Sequence, residues 1–81
     1  MSSSIRFGKR LVGVMSPSVQ RVFATLETTE KMYVGDIEAR TRYSSRTVRQ
    51  ALRQLLNADL IVRVPDMYDM RRHYYRVAGR N

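Results

Sequence analysis

The stretch from Ser44 to Ala58 limits the fold more than any other part of this chain. Val48, Leu52, Leu55 and Leu56 recur there at helical spacing. At about 100° per residue, with Arg46 at 0°, Arg49, Gln50 and Arg53 fall at roughly 300°, 40° and 340°. Val48, Leu52 and Leu55 fall at roughly 200°, 240° and 180°, on the opposite side. One side of this helix must therefore be buried against other elements, and the other carries arginine. A solvated helix face ordinarily mixes signs. This one has three arginines and no acid, the pattern of a face that meets a polyanion.

The rest of the chain supplies the elements for that burial. Ser16-Pro17 reads as a helix start, with serine capping free amides and proline at the first helical position. Val19, Val22, Phe23 and Leu26 follow as an amphipathic stripe that fades near Thr28-Thr29. Lys31 to Val34 is short and β-prone. Gly35 to Thr41 reads as a short helix with an acid in its first turn. Arg42-Tyr43 makes a turn, and Ser44 or Ser45 caps the arginine-bearing helix. Leu60 to Val64 and His73 to Val77 read as two strands joined by a turn that opens at Pro65-Asp66. Tyr75 and Val77 share one face of the second strand, Tyr74 and Arg76 the other. Residues 1–15 are basic and fit a disordered arm, an extra strand, or a segment that orders in a dimer.

At 81 residues the chain makes one domain, with a thin core. It has no cysteine, which removes disulfides, thiolate metal sites and a cysteine nucleophile. The net charge of +8 favours nucleic acid first and an anionic membrane surface second. No apolar run approaches the roughly 18 residues of a membrane span, and residues 1–15 lack the apolar core of a secretory signal. A cytoplasmic protein, nucleoid-associated when bound to DNA, is expected.

Catalysis is not expected. His73 is the only histidine and lies among tyrosines on a strand. Asp36 and Glu38 are two residues apart and point to different helix faces, so they do not form an acid/base pair. No glycine-rich phosphate loop, metal-ligand cluster or cofactor motif is present. Met15, Met32, Met67 and Met70 read as gap-fillers or surface at the hairpin tip.

The order helix, short strand, helix, turn, helix, strand, loop, strand follows the winged helix-turn-helix plan. Over residues 17–78 particular stretches reinforce it. Asp36-Ile37, Tyr43-Ser-Ser-Arg-Thr-Val48, Leu52 and Asn57-Ala-Asp-Leu-Ile61 resemble the helix-turn-helix of MarR-like and ArsR-like repressors. Asp69-x-Arg71 resembles the MarR wing motif, and Tyr74-Tyr-Arg-Val77 the closing strand of ArsR-type proteins. Three positions depart from the pattern: Glu38 stands where a small residue is usual, and Arg42 and Asp59 where glycine is usual. The chain also stops soon after the wing. It lacks the long C-terminal helix by which MarR proteins dimerise and the cysteines with which many ArsR proteins sense metals. Neither a MarR-style effector cleft nor a thiolate sensor is implied.

The expected fold class is thus α+β, mainly α: three helices plus a C-terminal β-hairpin wing. Residues 1–15 form an arm or dimerisation segment, 16–78 the winged helix-turn-helix domain and 79–81 a tail. The resemblance implies that Ser45, Arg46, Thr47, Arg49, Gln50 and Arg53 face a DNA major groove. It implies that Arg71, steadied by Asp69 and joined by Arg72, meets the minor groove. The residue chemistry agrees: Arg bonds bidentately to guanine and Gln to adenine, hydroxyls suit phosphates, and arginine suits a narrow minor groove. The function expected is a sequence-selective double-stranded DNA-binding regulator, a repressor. It would act as a homodimer through the N-terminal segment and the first helix, where Ile5, Phe7, Leu11 and Val12 have no other evident destination. The rival readings are a winged-helix module that binds protein and a nonspecific architectural nucleic-acid-binding protein.

Overall fold

The computed structural model describes residues 12–69 and 71–79. Three helices, α1 (Pro17–Glu27), α2 (Val34–Thr41) and α3 (Ser45–Asn57), pack on a small sheet of β1 (Met32–Tyr33), β2 (Ile61–Pro65) and β3 (His73–Val77). The sheet is antiparallel in the order β1-β3-β2. The three helices and the hairpin stand as expected. The sequence did not predict that β1 adds to the sheet on the far side of β3, with Met32 opposite Tyr75 and Tyr33 opposite Tyr74.

The core lies between the helices and the sheet. α1 contributes Val19, Val22, Phe23 and Leu26, α2 contributes Ile37, and α3 contributes Val48, Ala51, Leu52 and Leu55. Met32, Leu60, Ile61 and Val77 close it from the sheet side. Two expectations change here. Val12 is buried in this same core, and Met15 packs against it. Val12 therefore has a destination within its own chain. The packed unit also reaches back past residue 16, and the Gln20 amide fastens the lead-in by donating to the Met15 carbonyl at 2.7 Å. Ile5, Phe7 and Leu11 lie outside the described residues. Second, Ser16 takes the N-cap position of α1, but its hydroxyl pairs with that of Ser18 at 3.3 Å and caps no amide.

The helix-turn-helix is α2, the turn at Arg42-Tyr43, and α3. Asp36 in the first turn of α2 accepts the Tyr33 N–H at 3.1 Å, one arm of a capping box. α2 stops at Arg42, which adopts the left-handed conformation (φ 62°) and donates its N–H to the Glu38 carbonyl at 2.8 Å. This is a stop that glycine usually makes, because a Cβ costs about 1–2 kcal/mol there. α3 starts at Ser44, whose hydroxyl accepts the Thr47 N–H at 3.2 Å. It ends in a Schellman motif. Leu60 N–H reaches the Leu55 carbonyl and Asp59 N–H the Leu56 carbonyl, both at 3.0 Å, with Asp59 left-handed (φ 59°). The buried Leu60 then starts the chain into β2.

Beyond the core the β2–β3 hairpin projects as a wing. Ile61 and Val77 form its buried foot, and the pairs Arg63–Tyr75 and Pro65–His73 continue the same face outward.

Candidate nucleic-acid interface

Burial of Val48, Ala51, Leu52 and Leu55, none more than 2% exposed, fixes the rotation of α3 about its axis. Once that face is fixed, the opposite face follows from the 3.6-residue period. Arg46, Arg49, Gln50 and Arg53 are all exposed. No side chain of the four makes a hydrogen bond or ion pair with another described residue. Three guanidinium groups without a carboxylate partner leave a strong positive field along one helix side.

Two of the expected contact residues also have partners within the chain. Ser45 is exposed, but its hydroxyl donates to the Glu38 carboxylate at 2.6 Å. Thr47 is half-buried and its hydroxyl lies 3.1 Å from that of Ser44. The Ser45 hydroxyl ties the two helices across the turn, and the Thr47 hydroxyl stays within the N-terminal turn of α3. The Glu38 departure thereby has a use: the acid bridges α2 to the first residue of α3 across the turn.

In the wing, the Asp69 carboxylate lies 3.7 Å from the Arg71 guanidinium, and Arg71 is 94% exposed. So exposed an ion pair is worth little in energy. Asp69 does more by accepting the Arg71 N–H at 3.1 Å, which shapes the tip. Asp66 does the same for the Tyr68 N–H at 2.8 Å. Backbone bonds from Asp66 N–H to the Arg72 carbonyl and from Arg72 N–H to the Asp69 carbonyl close the loop, both at 2.9 Å.

The wing base holds a cluster that the sequence did not reveal. Tyr33, at the end of β1, donates its hydroxyl to Asp66 at 2.5 Å. The Arg72 guanidinium stacks over the Tyr33 ring at 4.0 Å, and Tyr74 meets that ring edge-on at 6.1 Å. Lys31 lies over Tyr74 at 4.7 Å. The Tyr33 hydrogen bond, helped by the Tyr68 amide, holds the Asp66 carboxyl below its ordinary range. The same bond raises Tyr33. Arg72, expected to serve the wing as a DNA contact, is thus also a strut at its base. Tyr33 and Asp66 are 33 residues apart, and no local pattern joins them.

A cleft of about 250 Å³ joins the two regions. Arg49 of α3 forms one wall and Arg71, Arg72 and His73 of the wing form the other, with the start of α2 at its end. Arg49 and Arg71 thus converge; Ser45, Arg46, Thr47 and Gln50 lie outside this cleft. Among the described residues no group of His, Asp or Glu is placed to hold a metal ion, and no helix is long and apolar enough to cross a membrane.

No protein-family model matches this chain, and no curated protein matches it in sequence. Solved structures match it in fold. A mutant of MepR from S. aureus bound to an oligodeoxyribonucleotide superposes with a TM-score of 0.77 at 20% identity, covering 96% of this chain and 56% of that one. A mutant of MarR from E. coli complexed with operator DNA gives 0.75 at 10% identity, covering 96% and 57%. AdcR, the adhesin competence repressor of Streptococcus pyogenes, gives 0.75 at 17% identity, covering 82% and 48%. The chain spans about half the length of these proteins. What it shares with them at such identities is the architecture, and the chain has the winged helix-turn-helix fold of the MarR-like regulators.

Proposed function

We propose that this chain is a sequence-selective binder of double-stranded DNA and a transcriptional regulator, acting as a repressor, with no catalytic step. One observation carries the reading. Arg46, Arg49, Gln50 and Arg53 stand exposed on one side of a helix whose other side is locked into the core. An α-helix fits the major groove, where Arg and Gln read guanine and adenine edges. Arg71 at the wing suits the adjacent minor groove, where a narrow width concentrates negative potential. Two of the matched structures contain DNA, which supports the same reading.

Residues 16–78 with the lead-in from Val12 form the binding unit in this proposal, and 79–81 the tail. Pairing two copies on a two-fold site is the usual way to enlarge a small footprint. We assign that pairing to the N-terminal segment, with Ile5, Phe7 and Leu11, together with α1. The cytoplasm, with the nucleoid when bound, is the matching location.

Selection of bound duplexes from a random pool tests the function. An enriched motif with two-fold symmetry is the expected result. Binding without enrichment, with a salt slope near −0.9 per neutralised phosphate, would favour a nonspecific architectural role. No duplex binding at low salt would sink the proposal and favour a protein-binding module. Sedimentation at rising concentration tests the pairing separately, and an unchanged monomer refutes it.

A further inference from the structure

β2 is an outer strand of the sheet: β3 pairs with one side of it, and no described strand lies on the other. The ladder decides which of its backbone groups are left over. Ala78 N–H reaches the Leu60 carbonyl and Asp66 N–H the Arg72 carbonyl, so in this register Leu60, Val62, Val64 and Asp66 turn their backbone groups toward β3. Ile61, Arg63 and Pro65 turn theirs outward. The free edge thus offers the N–H and C=O of Ile61 and Arg63 and the C=O of Pro65. Side chains alternate beside it. Val62 and Val64 stand half-buried on the outer sheet face, opposite Arg76 and Tyr74 of β3. Arg63 stands exposed on the inner face and lines a cleft with Arg49 and Arg53 of α3 and no acidic residue.

An edge of this kind pairs with an extended chain, whose main-chain bonds give affinity and whose alternate side chains give selectivity. Charge decides which chain. A second copy fits poorly. Two β2 edges laid antiparallel set their Arg63 side chains opposite or diagonal to each other on one face, and like charges so placed repel. The arginine is thus a guard against self-pairing. The same charge attracts a carboxylate, and the cleft behind it holds two more arginines. Val62 and Val64 suit apolar neighbours on the other face. Pro65 has no N–H, so the seat is short and ends there. We propose that the β2 edge docks, antiparallel, an extended segment of a partner protein in which acidic and apolar residues alternate. The acids lie beside Arg63 and the apolar residues beside Val62 and Val64. The proposal does not depend on the duplex-binding reading, and its test contains no DNA.

The test uses the full chain and a short fluorescently labelled peptide of alternating valine and glutamate. Binding is followed by anisotropy, and amide hydrogen exchange by NMR. Saturable binding is expected, with new protection of the Ile61 and Arg63 amides. N-methylating the glutamate amides of the peptide should weaken binding by about tenfold or more, because it removes donors and leaves the charge. A peptide of alternating valine and lysine should not bind. Arg63→Glu should reverse that preference, and a circular dichroism melt establishes that this variant folds. The proposal fails if the valine–glutamate peptide does not saturate by about 1 mM. It fails if that peptide binds with the two amides unprotected, which would place it on the arginines of α3 alone. It also fails if the N-methylated peptide binds equally well, since charge would then be the whole attraction. Protection of the same amides on raising protein concentration without peptide would give the edge to a second copy and overturn the proposal.

Discussion

The helix α3 and the wing tip point functional groups to the same side of the molecule, but they are held there by opposite means. α3 is fixed by dry packing: four of its side chains lie in the core, and its arginines need no tether of their own. Among the described residues the wing tip buries nothing comparable. Met67 is 81% exposed and Tyr68 fully exposed, and the loop keeps its shape through Asp66, Asp69 and a few backbone bonds. A face set by packing resists pH and salt but fails with a lost methyl group. A loop set by carboxylates tolerates changes of bulk and answers to protonation.

The largest expected effect breaks the packed side. Leu55→Ala should cost about 2–5 kcal/mol of folding stability, a large fraction of what a small domain has. Urea denaturation reads it, and a loss below about 1 kcal/mol would mean that α3 is not seated as described. Next, Arg53→Ala should leave that denaturation curve in place and cost about 1–3 kcal/mol of duplex binding, with relaxed sequence choice. A fall in stability of the same size would show that the arginine face is structural.

A smaller effect sharpens the view of the turn between α2 and α3. Arg42 is left-handed without being glycine. Arg42→Gly should therefore raise stability, by up to about 1 kcal/mol, after the added freedom of glycine in the unfolded chain is set against the relief. A lower melting temperature would mean that the arginine side chain contributes more than its backbone costs.

The smallest effect belongs to the wing. Asp66 lies below the ordinary carboxylate range in the folded chain, first because Tyr33 donates to it. A depressed carboxyl adds stability above its unfolded value, near about 3.9, and that share is lost as pH falls through the lower folded value. Tyr33 is raised by the same bond. Its share is complete below about 10 and is lost as pH rises through the higher folded value. The tether is therefore intact across neutral pH and fails at both extremes. Tyr33→Phe should move the Asp66 titration, followed by NMR, upward toward the ordinary range. An unmoved titration would remove the tether from the account.

The same contrast explains what could be read from the sequence. α3 was legible because burial follows a local period, and the positions of Val48, Leu52 and Leu55 also dictate where Arg46, Arg49 and Arg53 go. The stops at Arg42 and Asp59 were legible as places where glycine is usual. The wing base was not, since Tyr33 and Asp66 meet only after β1 has paired with β3, and a two-residue strand carries almost no pattern of its own. Val12 was misassigned because an apolar residue ahead of a cap gives no sign of folding back under the helix that follows.

The two-residue strand has a mechanical consequence. β1 is bonded to β3, and the next residue, Val34, already begins α2. No slack separates the returning arm of the hairpin from the helix pair that carries the arginines. The foot of the hairpin is therefore tied directly to the helix pair through β1. Under the proposed duplex-binding reading, an overwound or underwound duplex would have to deform to meet both.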